Sequence, residues 1–302
     1  MVIKLDLYRI FQAVAENNSF SKAARSLYLT QPAVSQSILQ LEEDLDIRLF
    51  NRTPKGVTLT QEGKLLYDHV HSALSLIDAG EKKMQAFKEL TAGKMAIGVG
   101  DTISRYFLLP YLEKFHKEYP DITFKLVNGT TMELCELLKT GEIDVALCNF
   151  PVTDPKLSLI PCKQVQDTFV CGKEYQHLLT EPLSLEELLK HPLICLETNS
   201  TSRRFMDAFL AEHDLQVSPE FELGAHDLLL DLARINLGIA CVTKEFSMGY
   251  LQQQLLHEIK LQETIPKRAI GICHLKSVPL SLAAEKFVAI IVDNTSCEKL
   301  TP

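Results

Sequence analysis

The spacing of apolar residues predicts three helices in the first 45 residues of the chain. The first contains the stripe of Leu7, Ile10, Phe11 and Val14 and ends at "ENNS". The second lies in "SKAARSLYL", with Ser19 or Ser21 as its N-cap. The third lies in "LYLTQPAVSQSILQLEEDL" (27–45), where Thr30 suits the N-cap and Pro32 the first turn. Its apolar stripe is formed by Val34, Ile38, Leu41 and Leu45.

The next segment has the pattern of a short hairpin followed by a long helix. In "IRLFNRTPKGVTLT" two β-prone runs flank a Pro/Gly turn, and Thr60 then caps a proline-free helix that runs to about residue 90. The apolar residues of this helix follow an a/d heptad spacing: Leu66, Val70, Ala73, Ile77, Gly80, Met84 and Phe87. A helix of about 30 residues is about 45 Å long, so we expect this seam to need a partner helix. A second copy of the chain is the simplest partner, and packing on its own chain is the alternative.

From residue 94 onward, short apolar runs alternate with helical patterns. The predicted strands are 95–99, 122–127, 143–148, 238–242 and 268–273. The predicted helices are 105–118, 131–140, 184–190, 202–213 and 226–235. This alternation is typical of an α/β domain with a largely parallel sheet.

The charge of the chain is distributed unevenly. The 302 residues carry a net charge of −8, but residues 1–90 hold eleven basic and eleven acidic side chains, so the acidity belongs to the remainder. The overall charge therefore does not exclude DNA as a partner of the first 90 residues. No apolar run approaches the ~20 residues that cross a bilayer, and the N-terminus lacks a signal-peptide core. We therefore expect a cytoplasmic protein without a membrane partner.

Eight cysteines are present and none forms a C-x-x-C pair. Most lie in apolar runs such as "VALCNF" and "GIACV", which predicts buried, reduced thiols. Cys162 and Cys171, nine residues apart, are left as a candidate redox pair. The sequence predicts no metal site and no cofactor.

Residues 21–45 have the pattern of a helix-turn-helix, because two short helices are joined by two or three residues and Ala23 and Ala24 allow a close approach. In that motif the second helix enters the major groove, where Gln and Ser can read base edges while nearby cations hold phosphates. A helical hairpin with a solvated Gln/Ser face is the alternative. The predicted DNA-binding residues are Lys22, Arg25, Gln31, Pro32, Ser35, Gln36, Gln40, Arg52 and Lys55.

The segment "FSKAARSLYLTQPAVSQSILQLEEDLDIRLFNRTPKGVTLTQEGK" closely resembles the DNA-binding head of the LysR-type transcriptional regulators. The match is dense over about residues 5–66. It continues more loosely through "LLPYLEKFHKEYPDI", "NGTTMELCELLKTGEIDVAL" and "INLGIACVTK". Asp46 and Asn236 stand where the family usually or frequently has Gly, and "QEG" replaces a small-residue pair.

The resemblance implies a winged helix-turn-helix (1–59), a dimerising linker helix (60–91) and a two-lobed effector-binding domain like a periplasmic binding protein (92–302). Lobe I would comprise about 92–163 and 267–302, and lobe II about 164–266. The chain would cross between the lobes near 162–165 and 264–268. The implied partners are double-stranded promoter DNA, a small-molecule effector, a second copy of the chain in a homodimer or homotetramer, and RNA polymerase as a further candidate.

Strand-to-helix junctions are where doubly wound folds bind ligands, and helix N-termini favour anions. The junctions here are rich in Ser, Thr, Asn and Gly, and Arg203 or Arg204 would add a cation. Ordinary helix capping is the alternative for each hydroxyl. The predicted effector-binding residues are Thr102, Ser104, Thr130, Thr131, Cys148, Asn149, Ser200, Thr201, Arg203 and His226.

Two other classes of protein were compared with a ligand-responsive regulator. An enzyme could use Cys148 or Ser200 as nucleophile and His213 or His226 as base, but no G-x-S-x-G, P-loop, G-x-G-x-x-G or zinc spacing accompanies them. A stand-alone solute receptor would need a signal peptide. The sequence therefore predicts a DNA-binding regulator, controlled by a small anionic metabolite between two lobes, rather than an enzyme.

Overall fold

Three helices, a hairpin and a long helix form the first of two units in the chain. The structure is a computed structural model that describes residues 3–53, 56–88 and 94–295, without the side chains of 52, 53, 79 and 82–88. The elements of this unit are α1 (Leu5–Asn17), α2 (Phe20–Ser26), α3 (Gln31–Leu45), β1 (Phe50–Thr53), β2 (Gly56–Leu59) and α4 (Gln61–Lys88).

The core of the first unit confirms the predicted helical stripes. Val34, Ile38 and Leu41 are at most 1% exposed and pack with residues of α1 and α2. The N–H of Ala33 donates to the Thr30 hydroxyl at 3.4 Å, so Thr30 caps α3 as predicted. The helix ends at Asp46 with φ 52°, a left-handed turn that Asp tolerates in place of Gly.

Helix α4 packs on its own unit through part of the predicted heptad seam. Val70 is 7% exposed in the core, while Leu66 and Ile77 pack against that core. Packing on its own chain, the alternative left open by the sequence, therefore accounts for these three positions. Ala73 remains exposed, and the side chains of Met84 and Phe87 lie outside the described residues.

The second unit is an α/β domain. Its strands are β3 (Lys94–Val99), β4 (Thr123–Val127), β5 (Val145–Asn149), β6 (Leu157–Cys171), β7 (Leu193–Leu196), β8 (Phe221–Leu223), β9 (Ile239–Thr243), β10 (His257–Ile259) and β11 (Lys267–Leu275). Its helices are α5 (Asp101–Ile103), α6 (Leu109–Glu118), α7 (Thr131–Lys139), α8 (Leu185–Leu188), α9 (Thr201–Ala211), α10 (His226–Arg234), α11 (Lys244–Gln252) and α12 (Leu282–Asn294), with a π-helical turn at Ser104–Leu108 and a 3-10 turn at Lys173–Leu179.

The sheet has the order β4-β3-β5-β11-β6-β9-β7-β8, with β10 beside β6. β3, β4 and β5 are parallel and form lobe I, and β7, β8 and β9 are parallel and belong to lobe II. β6 and β11 run antiparallel to each other and to their neighbours, and their bonds join the two lobes. The prediction of a largely parallel sheet is therefore wrong for this central part, and the sheet is mixed.

The cysteines of the second unit lie mostly in its core. Cys135, Cys148, Cys162, Cys171, Cys195 and Cys273 are buried, Cys241 is half-buried, and all seven are free thiols, while Cys297 lies outside the described residues. Cys162 and Cys171 both lie on β6, and nine residues of strand separate them by about 30 Å. A disulfide needs Cα atoms within about 7 Å, so they cannot form a redox pair in this fold. No described helix is long and apolar enough to cross a membrane.

Candidate functional site

Helix α3 has an exposed polar face, and in the first two turns its glutamine side chains make no hydrogen bond to other described residues. Gln31, Pro32 and Gln36 are exposed and Ser35 is half-buried. The amides of Gln31 and Gln36 bond to no other described residue, whereas the Gln40 amide donates to Asp44 Oδ1 at 2.9 Å. The first two turns of the helix can therefore offer amide groups to an external partner.

The predicted phosphate-binding cations flank this helix. Lys22 and Arg25 are exposed on α2, and Ser19 caps that helix by accepting the N–H of Lys22. Arg52 lies in β1, which pairs with β2 to form a wing. The side chain of Arg52 and the whole of Lys55 lie outside the described residues.

Two polar side chains fix the wing to its neighbours: Glu42, which the sequence did not single out, and Thr60, which it predicted as the cap of the long helix. Glu42 of α3 accepts the N–H groups of Leu49 and Phe50 at 2.7 and 3.2 Å. The Thr60 hydroxyl donates to the Arg48 carbonyl at 2.8 Å and accepts the N–H of Gly63 at 2.9 Å. Because a Cβ on Gly63 would come within 2.2 Å of the Leu49 carbonyl oxygen, the start of α4 lies close against the wing.

The second unit has a buried polar network where β6 and β11 cross between the lobes. Arg268 of β11 donates two hydrogen bonds of 2.7 Å to the carboxylate of Asp167 on β6. It also donates to the Thr243 hydroxyl at 2.8 Å and to Asn149 Oδ1, at the end of β5, at 2.6 Å. Both charged side chains are at most 3% exposed. The network therefore ties a lobe I strand end to lobe II.

A second bridge joins the lobes at the mouth of the cleft. Arg105 Nη1, in the π-helical turn of lobe I, contacts Asp227 Oδ2 of α10 at 2.7 Å, and the Tyr106 phenol donates to Asp227 Oδ1 at 2.5 Å. Burial, and then the hydrogen bond to Asp227, raise the pKa of Tyr106. The phenol therefore remains a donor to this carboxylate at neutral pH.

Aromatic contacts surround His226 beside this bridge. The Tyr106 ring stacks on Phe246 at 5.3 Å, and both rings meet the His226 ring edge-on. His226 Nε2 accepts the N–H of Thr243 at 3.2 Å, while Nδ1 is buried without a hydrogen-bond partner among the described residues. Asp227 Oδ1 lies 3.8 Å from Nδ1, too far for a hydrogen bond. Burial lowers the pKa of His226, so the ring is neutral at neutral pH.

Three of the predicted effector residues are engaged elsewhere. The N–H and hydroxyl of Thr130 both donate to Glu133 Oε2, and Thr131 Oγ1 accepts the N–H of Asn149. The Glu133 carboxylate therefore occupies the start of α7, where an anion would have to bind. Cys148 is 1% exposed, and its bonds to two neighbouring thiols raise its pKa well above the ordinary value. Thr130 is thus a helix cap and Cys148 lies in the core, and their roles as ligand contacts stay predictions.

Both arginines named by the sequence lie in the first turn of α9, in different surroundings. Arg203 is 7% exposed, its Nε and Nη1 are bound to Asp207 and to the Leu196 carbonyl at 2.8 Å each, and it lines a depression beside this helix start. Arg204, the other candidate, is exposed and reaches across to Met132 Sδ of lobe I at 3.0 Å. Arg204 is therefore the exposed cation at this helix start, and it contacts both lobes.

The remaining predicted hydroxyls keep their capacity for a ligand. Thr102 and Ser104 are half-buried at the carboxyl end of β3, and their side chains bond to no other described residue. Ser200 is the N-cap residue of α9 but makes no capping bond, and Thr201 accepts a long bond of 3.5 Å from Arg204. A shallow, solvent-open depression lies beside this helix start, and its lining includes Asp167, Ser202, Arg203 and Thr243. No group of three His, Cys, Asp or Glu side chains in the described ranges is arranged to hold a metal ion.

Comparisons with known proteins agree with this architecture. Residues 5–64 match the family model described as the bacterial regulatory helix-turn-helix protein, lysR family, and residues 88–296 match the LysR substrate binding domain. The chain belongs to the family of LysR-type transcriptional regulators. It is therefore a DNA-binding regulator with an effector-binding domain and not an enzyme.

Relatives of this LysR-type regulator extend over nearly its whole length. Probable RuBisCO transcriptional regulators of Guillardia theta and Chlorokybus atmophyticus are 30% and 31% identical, and the alignments cover 94% of this chain and 93% and 92% of theirs. Full-length CbnR complexed with its target DNA has a TM-score of 0.59 at 18% identity, covering 96% of this chain and 99% of that one. The effector-binding domain of QuiR with shikimate has a TM-score of 0.60 at 20% identity, covering 67% and 97%. These two structures are similar to the regulator in fold.

Proposed function

We propose that this regulator binds promoter DNA through α3 and that a small anionic metabolite in the cleft between the lobes modulates that binding. It acts in the cytoplasm as a homodimer that assembles into a homotetramer, with RNA polymerase as a further partner at the promoter. The observation that carries the effector assignment is the start of α9. There Ser200 leaves the first turn uncapped, and Arg204 extends across the cleft to lobe I.

The charge at this position favours an anion. The free N–H groups at a helix start contribute typically ~0.3–1 kcal/mol toward a negative charge. A hydrogen bond from Arg204 to a carboxylate would add ~1.5–3 kcal/mol. Thr102 and Ser104 of lobe I offer hydroxyls that bond to no other described residue. Shikimate, the ligand in the QuiR structure, is likewise a small carboxylate.

A ligand that touches both lobes would favour one angle between them over others. The bridge from Arg105 and Tyr106 to Asp227 spans the same gap, so an effector that competes for it would change the set of lobe angles. A tenfold change in DNA affinity requires about 1.4 kcal/mol of coupling between the two sites.

The effector assignment is tested in two steps. Thermal-shift screening of small carboxylates and phosphates should identify a stabilising metabolite, because a ligand at 100 times its Kd adds ~2.7 kcal/mol. Calorimetry with that metabolite should then show affinity falling by about tenfold or more in Arg204→Ala and in Thr102→Val. Arg234→Ala is the matched control, because this exposed side chain in the last turn of α10 pairs with Asp231 at 3.4 Å and should leave ligand affinity unchanged. Ligand binding by Arg204→Ala at the wild-type affinity would place the anion elsewhere.

The dimerisation assignment rests on the outer face of α4. Leu65 is 65% exposed, and Ala73 and Gly80 lie exposed further along the same helix. An apolar surface of this kind on a helix about 42 Å long suits a partner helix.

The DNA assignment is tested by selecting duplexes from a random-sequence pool with the full chain. Recovery of no preferred sequence would contradict sequence-specific binding.

A further inference from the structure

The turn between α2 and α3 contains an aromatic residue in a backbone conformation that suits glycine. The N–H of Leu29 donates to the Ala24 carbonyl at 2.8 Å, and the N–H of Tyr28 donates to the Arg25 carbonyl at 3.2 Å. This pair of bonds is the Schellman arrangement, in which the residue after the cap adopts a left-handed conformation and is usually glycine. Tyr28 occupies that position with φ 56°.

Tyr28 is unusual among the left-handed residues of the chain. The other non-glycine residues with positive φ in the described ranges are Asn18, Asp46, Asp214, Asn236 and Gln254. Asn and Asp adopt this conformation most readily, whereas a bulky aromatic side chain there is an outlier. Strain of this kind often marks positions where the side chain serves a function.

The ring of Tyr28 stabilises nothing inside the protein. It is 97% exposed, the highest value among the exposed large apolar residues, and its hydroxyl bonds to no other described residue. The residue therefore combines backbone strain with an aromatic surface that no part of the first unit covers. Burial in the fold cannot explain why a tyrosine stands here.

The position of Tyr28 points to the partner. It follows Lys22 and Arg25 at intervals of three residues and precedes Gln31, the first residue of α3, by three. In a helix-turn-helix the first helix crosses the DNA backbone and the start of the second reaches base edges. The turn between them lies at the phosphate rim of the major groove, where Tyr hydroxyls are regular donors.

We propose that Tyr28 contacts DNA, with its phenol donating a hydrogen bond to a backbone phosphate at the rim of the major groove. This inference rests on DNA binding by the head. It concerns affinity for any duplex rather than the choice of sequence, so it is independent of the base readers on α3. Because the phenol is neutral, the contact releases no counterion.

The experiment measures Kd by fluorescence anisotropy with the full chain, across a range of salt concentrations. Two duplexes of equal length are used, one selected from a random pool by the wild-type chain and one of unrelated sequence. Tyr28→Phe should raise Kd about tenfold for both duplexes without changing the salt slope, since it removes only the hydroxyl. Lys22→Ala should weaken both and flatten the slope by about one unit.

Two glycine variants separate the contact from the backbone. Asp46 ends α3 with the same pair of bonds, from Asp46 and Ile47 to Glu43 and Glu42, and with φ 52°. Tyr28→Gly and Asp46→Gly should both melt no lower than wild type, because relief of the left-handed strain offsets the added backbone freedom. Only Tyr28→Gly should weaken DNA binding.

Three results would overturn the proposal. The first is that Tyr28→Phe binds both duplexes with wild-type affinity. The second is that Tyr28→Phe loses affinity for the selected duplex only, which would indicate a base contact. The third is that Tyr28→Phe has a flatter salt slope than wild type. If the wild-type chain selected no sequence at all, specific readout by α3 would fail. The Kd values of wild type and Tyr28→Phe for the unrelated duplex would still test the proposed contact.

Discussion

The buried ion pair between Arg268 and Asp167 should show a strong asymmetry between single and double substitutions. Arg268→Met removes all four hydrogen bonds that the guanidinium donates and leaves the Asp167 carboxylate, 3% exposed, with the Thr243 hydroxyl as its remaining donor in this network. Breaking a buried pair in this way typically destabilises by ~3–5 kcal/mol. For a domain of about 200 residues that corresponds to a loss of roughly 6–20 °C in melting temperature.

The double variant Arg268→Met/Asp167→Leu should recover most of this loss. Apolar side chains of similar volume avoid the desolvation of two charges, and such replacements are often neutral or stabilising by ~1–4 kcal/mol. The remaining cost in stability comes from Asn149 Oδ1 and the Thr243 hydroxyl, each of which loses the hydrogen bond that Arg268 donates.

Differential scanning calorimetry of the full chain, in which the two units can melt separately, measures Arg268→Met, Asp167→Leu and the double variant. The transition of the first unit is the internal control, because neither substitution lies in it. A single variant that shifted the second transition by less than about 3 °C, or a double variant no more stable than the singles, would refute a coupled buried pair. The double variant also tests function, since loss of the effector response with DNA binding retained would show that this network sets the lobe angle.

Three further outcomes are expected. Gln36→Ala should cost ~1–3 kcal/mol at one operator position and relax preference there in a binding-site selection, and unchanged preference would contradict the docking of α3. Ala73→Asp, on the exposed face of α4, should weaken self-association in sedimentation without lowering the melting temperature, whereas Ile77→Asp should lower both because Ile77 packs on the head core. Burial depresses the folded pKa of His226, so the unfolded chain binds its proton more readily and stability is lost as pH falls below about 6.5. Melting temperatures at pH 7.5 and 5.5 should therefore differ less for His226→Gln than for wild type.

The sequence predicted elements whose signal is local. The stripe of α3 and its Thr30 cap are set by spacing within one helix, and the structure confirms them. β6 was missed because a strand that crosses between lobes changes its neighbours partway along, so "LSLIPCKQVQDTFVC" keeps no single alternating pattern. Its antiparallel run against β11 also made the expectation of a largely parallel sheet wrong.

The candidate sites depended on contacts that spacing cannot supply. Asp167 and Arg268 are 101 residues apart, and only the fold brings them together. The choice between Arg203 and Arg204 depended on a rotation of about 100° around the helix, which packing against Leu196 and Asp207 decides. A charged residue such as Arg268 at the edge of an apolar strand was nevertheless a signal, because a buried cation requires a partner.

The bonds from Glu42 and Thr60 have a mechanical consequence. They join α3, the wing and the start of α4 by hydrogen bonds, so a rotation applied to α4 would also move the recognition helix. A rod of 28 residues is about 42 Å long, and tilting it by about 10° displaces one end by roughly 7 Å relative to the other. That displacement equals about two base-pair steps along DNA. A tilt of about 10° in α4 would therefore change whether a second head reaches its half-site in register.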